Sequence, residues 1–124
     1  MIVGIGLDLV DIREFQAEVD EKREEWLVRV FTTREREYCG TQADPYRHFA
    51  GTFAAKEATL KALRTGWTDQ SDLKDVEIVR RQECPEILFS GALSTLVADR
   101  KIRTTFVSIT HTKDHASAVV VLES

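Results

Sequence analysis

The chain has 124 residues, 43% of them hydrophobic and 31% charged, a length that suits one domain with a core of its own. Seventeen Lys and Arg against 21 Asp and Glu leave a net charge of −4, which argues against a non-specific nucleic-acid binder with a concentrated basic face. No apolar run approaches the roughly 20 residues of a membrane span, the start carries no basic leader, and Cys39 and Cys84 lack metal-site spacing, so a soluble cytoplasmic protein with free thiols is expected.

Residues 2–7 read as a strand, with Val3, Ile5, Leu7 and Leu9 on one face and Gly4, Gly6 and Asp8 on the other. The second face has no bulk before its carboxylate, which leaves room for something to approach. From Asp11 the period changes: Ile12, Phe15 and Val19 predict a helix with Asp11 as its N-cap. A charged stretch, Asp20 to Glu25, leads to a second apolar cluster at Trp26, Leu27 and Val30. Thr32-Thr33-Arg34-Glu35 has capping-box spacing and predicts a short helix to about Tyr38. A loop over 40–45 precedes a long helix from about Tyr46 to Leu63, stopping near Gly66. Val76–Val79 and Glu86–Phe89 read as strands joined by a loop through Pro85, and Ser90–Asp99 as a helix with Leu93, Leu96 and Val97 as its stripe. Thr104–Thr110 and Ala116–Glu123 form the expected closing hairpin, turning at Thr112-Lys113-Asp114-His115. The order β-α-α-α-β-β-α-β-β, with short links between consecutive strands, predicts an antiparallel sheet and an α+β class. With neither linker nor repeat, residues 1–124 are expected to be a single domain.

The helix over 46–63 is the informative segment. Phe49, Phe53, Leu60 and Leu63 share a narrow core stripe, and Lys56 projects into it, where a solvated lysine is out of place. Glu57 and Lys61 lie one turn apart on its flank, among the small side chains Ala50, Ala54 and Ala58. Such a pair is by itself a surface ion pair worth a few tenths of a kcal/mol; beside a core lysine and a small-residue wall it is equally a candidate site. Asp8 supplies a second carboxylate, with N-cap of the next helix as its competing role. Two acids are enough for a Mg²⁺ that also binds substrate phosphates, and a lysine beside them can neutralise a phosphate oxygen as charge develops.

Three motifs carry a resemblance. Gly4-Ile5-Gly6-Leu7-Asp8-Leu9-Val10, Phe53-Ala54-Ala55-Lys56-Glu57-Ala58-Thr59-Leu60-Lys61-Ala62-Leu63 with Thr65-Gly66, and Val107–Thr112 with Ala118–Val121 resemble, in order, motifs of the holo-[acyl-carrier-protein] synthases, which are 4′-phosphopantetheinyl transferases. The resemblance spans nearly the whole chain. It implies that family's fold, an antiparallel sheet with a long central helix packed on it. It also implies transfer of phosphopantetheine from coenzyme A to a serine of an apo acyl carrier protein, with release of adenosine 3′,5′-bisphosphate.

On this likeness Asp8 and Glu57 hold Mg²⁺, Glu57 helps deprotonate the serine, and Lys61 stabilises the leaving group. Arg47, Lys61, Gly66, Pro85, His111 and Thr112 are the implied coenzyme A contacts, and a homotrimer with sites at subunit interfaces is implied for a small member, with a carrier of fatty acid biosynthesis or of secondary metabolism as the acceptor. His111 alone would read as a turn or core histidine, and His48 and His115 carry no assigned role. Thr52 stands where the family pattern has arginine, which predicts one missing phosphate contact. Gln82-Glu83-Cys84-Pro85 replaces a Gly-Lys-Pro turn, and Arg64 replaces a glycine. Arg13, Lys22, Arg23, Arg29, Arg34 and Arg36, the expected docking side for an acidic carrier, are outnumbered by acids. A non-catalytic coenzyme A or carrier-binding module that keeps the fold is the alternative.

Overall fold

The computed structural model describes residues 1–65 and 70–124, so the expected contact Gly66 lies outside the described residues. The chain runs β1 (Ile2–Asp11), α1 (Ile12–Val30), α2 (Thr33–Gly40), α3 (Pro45–Leu63), a 3₁₀ turn (Gln70–Asp75), β2 (Val76–Arg81), β3 (Cys84–Phe89), α4 (Gly91–Asp99), β4 (Thr104–His111) and β5 (His115–Glu123). The expected α+β order is present throughout. Its strands divide between two antiparallel sheets, β1-β5-β4 and the β2-β3 hairpin. No described helix is long and apolar enough to cross a membrane.

Local chemistry sets the helix starts. Asp11 accepts from the Glu14 amide at 3.0 Å, which settles the capping role on Asp11 and leaves Asp8 free of it. Both arms of the Thr32–Glu35 capping box are made. Asp44 caps α3 with Pro45 in its first turn, where the missing N–H costs nothing. α1 breaks its helical geometry at Arg23 (φ 62°, ψ −160°), inside the charged stretch that offers no buried side chain between Val19 and Trp26. α3 stops at Arg64 in a left-handed conformation (φ 52°, ψ 35°).

α3 lies across the three-stranded sheet, and Gly4 and Gly6 are why it can. A Cβ on Gly6 would sit 1.8 Å from the Ala58 carbonyl oxygen, and one on Gly4 would sit 2.1 Å from that of Ala62. The unfilled face of β1 is therefore occupied by the backbone of α3, with Ala116, Ala118, Val120 and Leu122 of β5 completing the buried layer. The opposite face is bare: Ile5, Leu7 and Leu9 are 66%, 63% and 66% exposed, and Phe106 of β4 is 52% exposed.

One expectation is corrected. Pro85 is not in a loop; it lies in β3 opposite Arg80, because Arg81 and Cys84 already pair across a two-residue turn. That turn, Gln82-Glu83, has φ of 52° and 68°, the left-handed pair whose twist suits a tight hairpin. Pairs alternate in an antiparallel ladder, so the position after the turn-flanking pair needs no proline N–H. Lys56 does project into the core stripe, but its ammonium ends on Glu35, 2.5 Å away, with both side chains fully buried. Glu35 also accepts from the amides of Thr32 (2.9 Å) and Ile78 (2.8 Å), so one carboxylate ties α2, α3 and β2 together. Lys56 is structural.

Candidate functional site

The close approach of α3 to β1 builds the first cluster. Asp8 follows Gly6 on the buried-face register of β1, where the helix carries Glu57 and Lys61 past it. Lys61 Nζ donates to Asp8 Oδ1 at 2.9 Å and to the Leu7 carbonyl at 3.0 Å, so it bonds across to the strand rather than back to Glu57. Asp8 is largely covered and Lys61 is half exposed. Burial, reinforced by the Asp8 charge and partly offset by Lys61, pushes the Glu57 carboxyl up to about 7. A carboxyl poised there can take or give a proton near neutrality.

Two openings meet at Glu57. One of about 310 Å³ is lined by Asp8, Asp11, Glu14, Phe53 and Glu57; one of about 260 Å³ is lined by Glu57, Leu60, Lys61, Arg64 and Thr65. Among the described residues no group of three or more His, Cys, Asp or Glu could hold a metal ion by itself. The pair that is present fits Mg²⁺, which keeps several waters and takes only one or two carboxylates. Asp8 raises Glu57 because the two negative charges face each other with one ammonium beside them, and a divalent cation relieves that repulsion.

The second cluster lies toward the other end of α3. Ten residues separate Arg47 from Glu57, about 15 Å of helix rise. Arg47 and His48 from α3, Arg80 and Pro85 from the hairpin, and His111 from β4 line a pocket of about 150 Å³. Arg47 rests against Asp44 at 3.5 Å. The His48 and His111 rings are 6.2 Å apart. Burial, and then the charges of Arg47 and His48, lower the pKa of His111.

Of the expected contacts, Asp8, Glu57 and Lys61 are thus brought together, and so are Arg47, Pro85 and His111. Thr112 is not among the lining residues: its hydroxyl accepts from the Asp114 and His115 amides in the hairpin turn. His48 and Arg80 belong to the pocket and had no assigned role. Alternation along β2 places Arg80 on the same face as Val76 and Ile78, which was the available signal. A larger cavity of about 440 Å³, between α1, α2 and α3 at Val19, Arg23, Arg36, Tyr46 and Phe49, touches neither cluster.

Residues 4–120 match the family model described as the 4′-phosphopantetheinyl transferase superfamily. The holo-[acyl-carrier-protein] synthase of Geotalea daltonii is 44% identical over 124 residues, covering 99% of each chain. The crystal structure of the Neisseria meningitidis holo-[acyl-carrier-protein] synthase superposes with a TM-score of 0.90 at 28% identity, over 100% of both chains. That of Helicobacter pylori, in complex with coenzyme A, superposes with a TM-score of 0.81 at 30% identity, over 96% of this chain and 99% of the other.

Proposed function

Because the chain belongs to the 4′-phosphopantetheinyl transferase superfamily, we propose that it transfers the 4′-phosphopantetheine group of coenzyme A to a serine hydroxyl of an apo acyl carrier protein. The observation that carries this reading is the Asp8–Lys61–Glu57 cluster, set in a chain that matches holo-[acyl-carrier-protein] synthases over its whole length. Residues 1–124 act as one transferase domain.

The serine oxygen forms a bond to the phosphorus that bears pantetheine, and the pyrophosphate P–O bond breaks. Adenosine 3′,5′-bisphosphate leaves with the electron pair, and the serine proton goes to Glu57, whose carboxyl near pH 7 is matched to that transfer. Lys61, held at Asp8, faces the charge that builds on the leaving phosphate. Mg²⁺ bound by Asp8 and Glu57 would neutralise the pyrophosphate oxygens. Arg47, Pro85 and His111 receive the nucleotide end of coenzyme A, and Gly66 and Thr112 are proposed as further contacts to it.

The bare face of Ile5, Leu7, Leu9 and Phe106 supports a homotrimer. Sites at subunit interfaces would let neighbouring copies contribute the two clusters that one helix holds about 15 Å apart. Sedimentation should give three times the chain mass, and Ile5→Glu should shift it toward the single chain with loss of activity. Wild type sedimenting as one chain would remove the interface. Two free thiols, Cys39 and Cys84, fit a cytoplasmic setting, where a fatty-acid carrier would be the acceptor.

Intact-mass spectrometry of an apo acyl carrier protein, incubated with this protein, coenzyme A and Mg²⁺, tests the reaction. A phosphopantetheine adduct that disappears with EDTA is the expected result. Coenzyme A binding without any adduct would instead favour the non-catalytic module.

A further inference from the structure

Arg80 takes no part in the proposed transfer, and its surroundings are built. Thr52 is fully buried, and its hydroxyl accepts from Arg80 Nη1 at 3.0 Å and lies 3.5 Å from Cys39 Sγ. The guanidinium lies over the Tyr38 ring, 4.7 Å from its centroid. Arg80 therefore reaches inward from β2 with one donor and one face engaged, and it lines the pocket that also holds Arg47, His48 and His111. A guanidinium carries five N–H donors, so most of them are left for whatever enters.

Among the described residues Arg80 forms no ion pair. The acid lining the pocket is Glu83, on the hairpin turn, and Asp44 outside it is tied to Arg47; both are exposed to water, which screens them. Arg47 shares its charge with Asp44, whereas Arg80 is held rigid with its charge uncommitted. A planar fork that is ordered before binding suits a phosphate, because it loses little freedom when the bonds form.

We propose that Arg80 is a phosphate-binding residue of this pocket, positioned by the Thr52 hydroxyl and the Tyr38 ring, and that it takes a phosphate of the nucleotide end of coenzyme A. On this reading position 52 makes no phosphate contact itself but holds the cation in place, and β2 supplies it. The inference rests on reading this pocket as the coenzyme A site.

The test is titration calorimetry of wild type and Arg80→Gln with coenzyme A and with 3′-dephospho-coenzyme A. Glutamine removes the charge but ends two bonds short of Nη1, so it also gives up the Thr52 bond, and the thermal midpoint read alongside reports what that structural contact is worth. Coenzyme A affinity is expected to fall about 10- to 100-fold, the size of one charge-assisted contact. If only coenzyme A weakens, Arg80 takes the 3′-phosphate; if both donors weaken, it takes the pyrophosphate. Either supports the assignment.

Wild-type affinity for both donors in Arg80→Gln overturns it and leaves the proposed reaction standing. A wild-type protein that binds neither donor overturns both readings together. Should Arg80→Gln fail to fold, Arg80→Lys carries the test. It keeps the charge without the planar fork, and a several-fold loss is expected, with unchanged affinity again the overturning result.

Discussion

Glu57→Gln is expected to lower phosphopantetheine transfer by about 10²- to 10⁴-fold, the usual contribution of a positioned general base, while leaving the fold intact. Asp8→Asn should do comparable damage, since it removes one of the two carboxylates that Mg²⁺ can use and leaves Lys61 with neutral acceptors in place of an ion pair. Wild-type-like turnover in either variant would sink the assignment.

Stability read in EDTA gives a second, independent check on Glu57. Its carboxyl titrates near 7 in the folded chain against a usual value of 4.5, so the folded state holds the proton more tightly between those limits. The stabilisation is complete below about 4.5 and is lost as pH rises through 7. Because the group is only half buried, the shift translates, after discounting for solvent screening, to roughly 1–2 kcal/mol. Glu57→Gln should therefore be the more stable protein at pH 8 and not at pH 4.5. Denaturant midpoints with identical pH trends in the two proteins would mean that Asp8 and the burial do not act on Glu57 as the geometry requires.

The features legible in the sequence share one property: their physics is local. Asp11 and Thr32 could be placed at helix starts because a cap is decided within four residues. Asp8, Glu57 and Lys61 could be singled out because residue type and spacing restrict what they do.

What escaped depends on which faces meet. Gly4 and Gly6 announced an open face, but only the tertiary arrangement shows that the backbone of α3 fills it. Pro85 reads as loop because nothing in a sequence reveals that two non-glycine residues, Gln82 and Glu83, take a left-handed turn. Arg80 and Thr52 sit 28 positions apart, and each is unremarkable until the hairpin docks on α3. Lys56 is legible only by half: the stripe puts it in the core, but the partner that explains it there, Glu35, is on another helix.

Glu35→Ala is expected to cost about 3–5 kcal/mol, because it strands the Lys56 ammonium in the core without a partner. Burial alone already lowers the pKa of Lys56, and the Glu35 charge is the main force opposing that fall. Removing Glu35 also orphans the Ile78 amide and one arm of the capping box, so α2 and β2 lose their shared anchor. A loss of this size should lower the thermal midpoint by about 10–20 °C in a domain of this length. The double variant Glu35→Leu/Lys56→Met should recover part of it, since a buried pair is worth less than the penalty of breaking it. Lys61→Met makes the opposite prediction from the same helix. That lysine is half exposed and bonded to a site carboxylate, so turnover should fall with little change in midpoint. If Glu35→Ala instead melted like wild type, the buried bridge would not be what holds α2 and β2 to α3. The pocket that Arg47, Arg80 and His111 share would then need another support, because each reaches it from a different element.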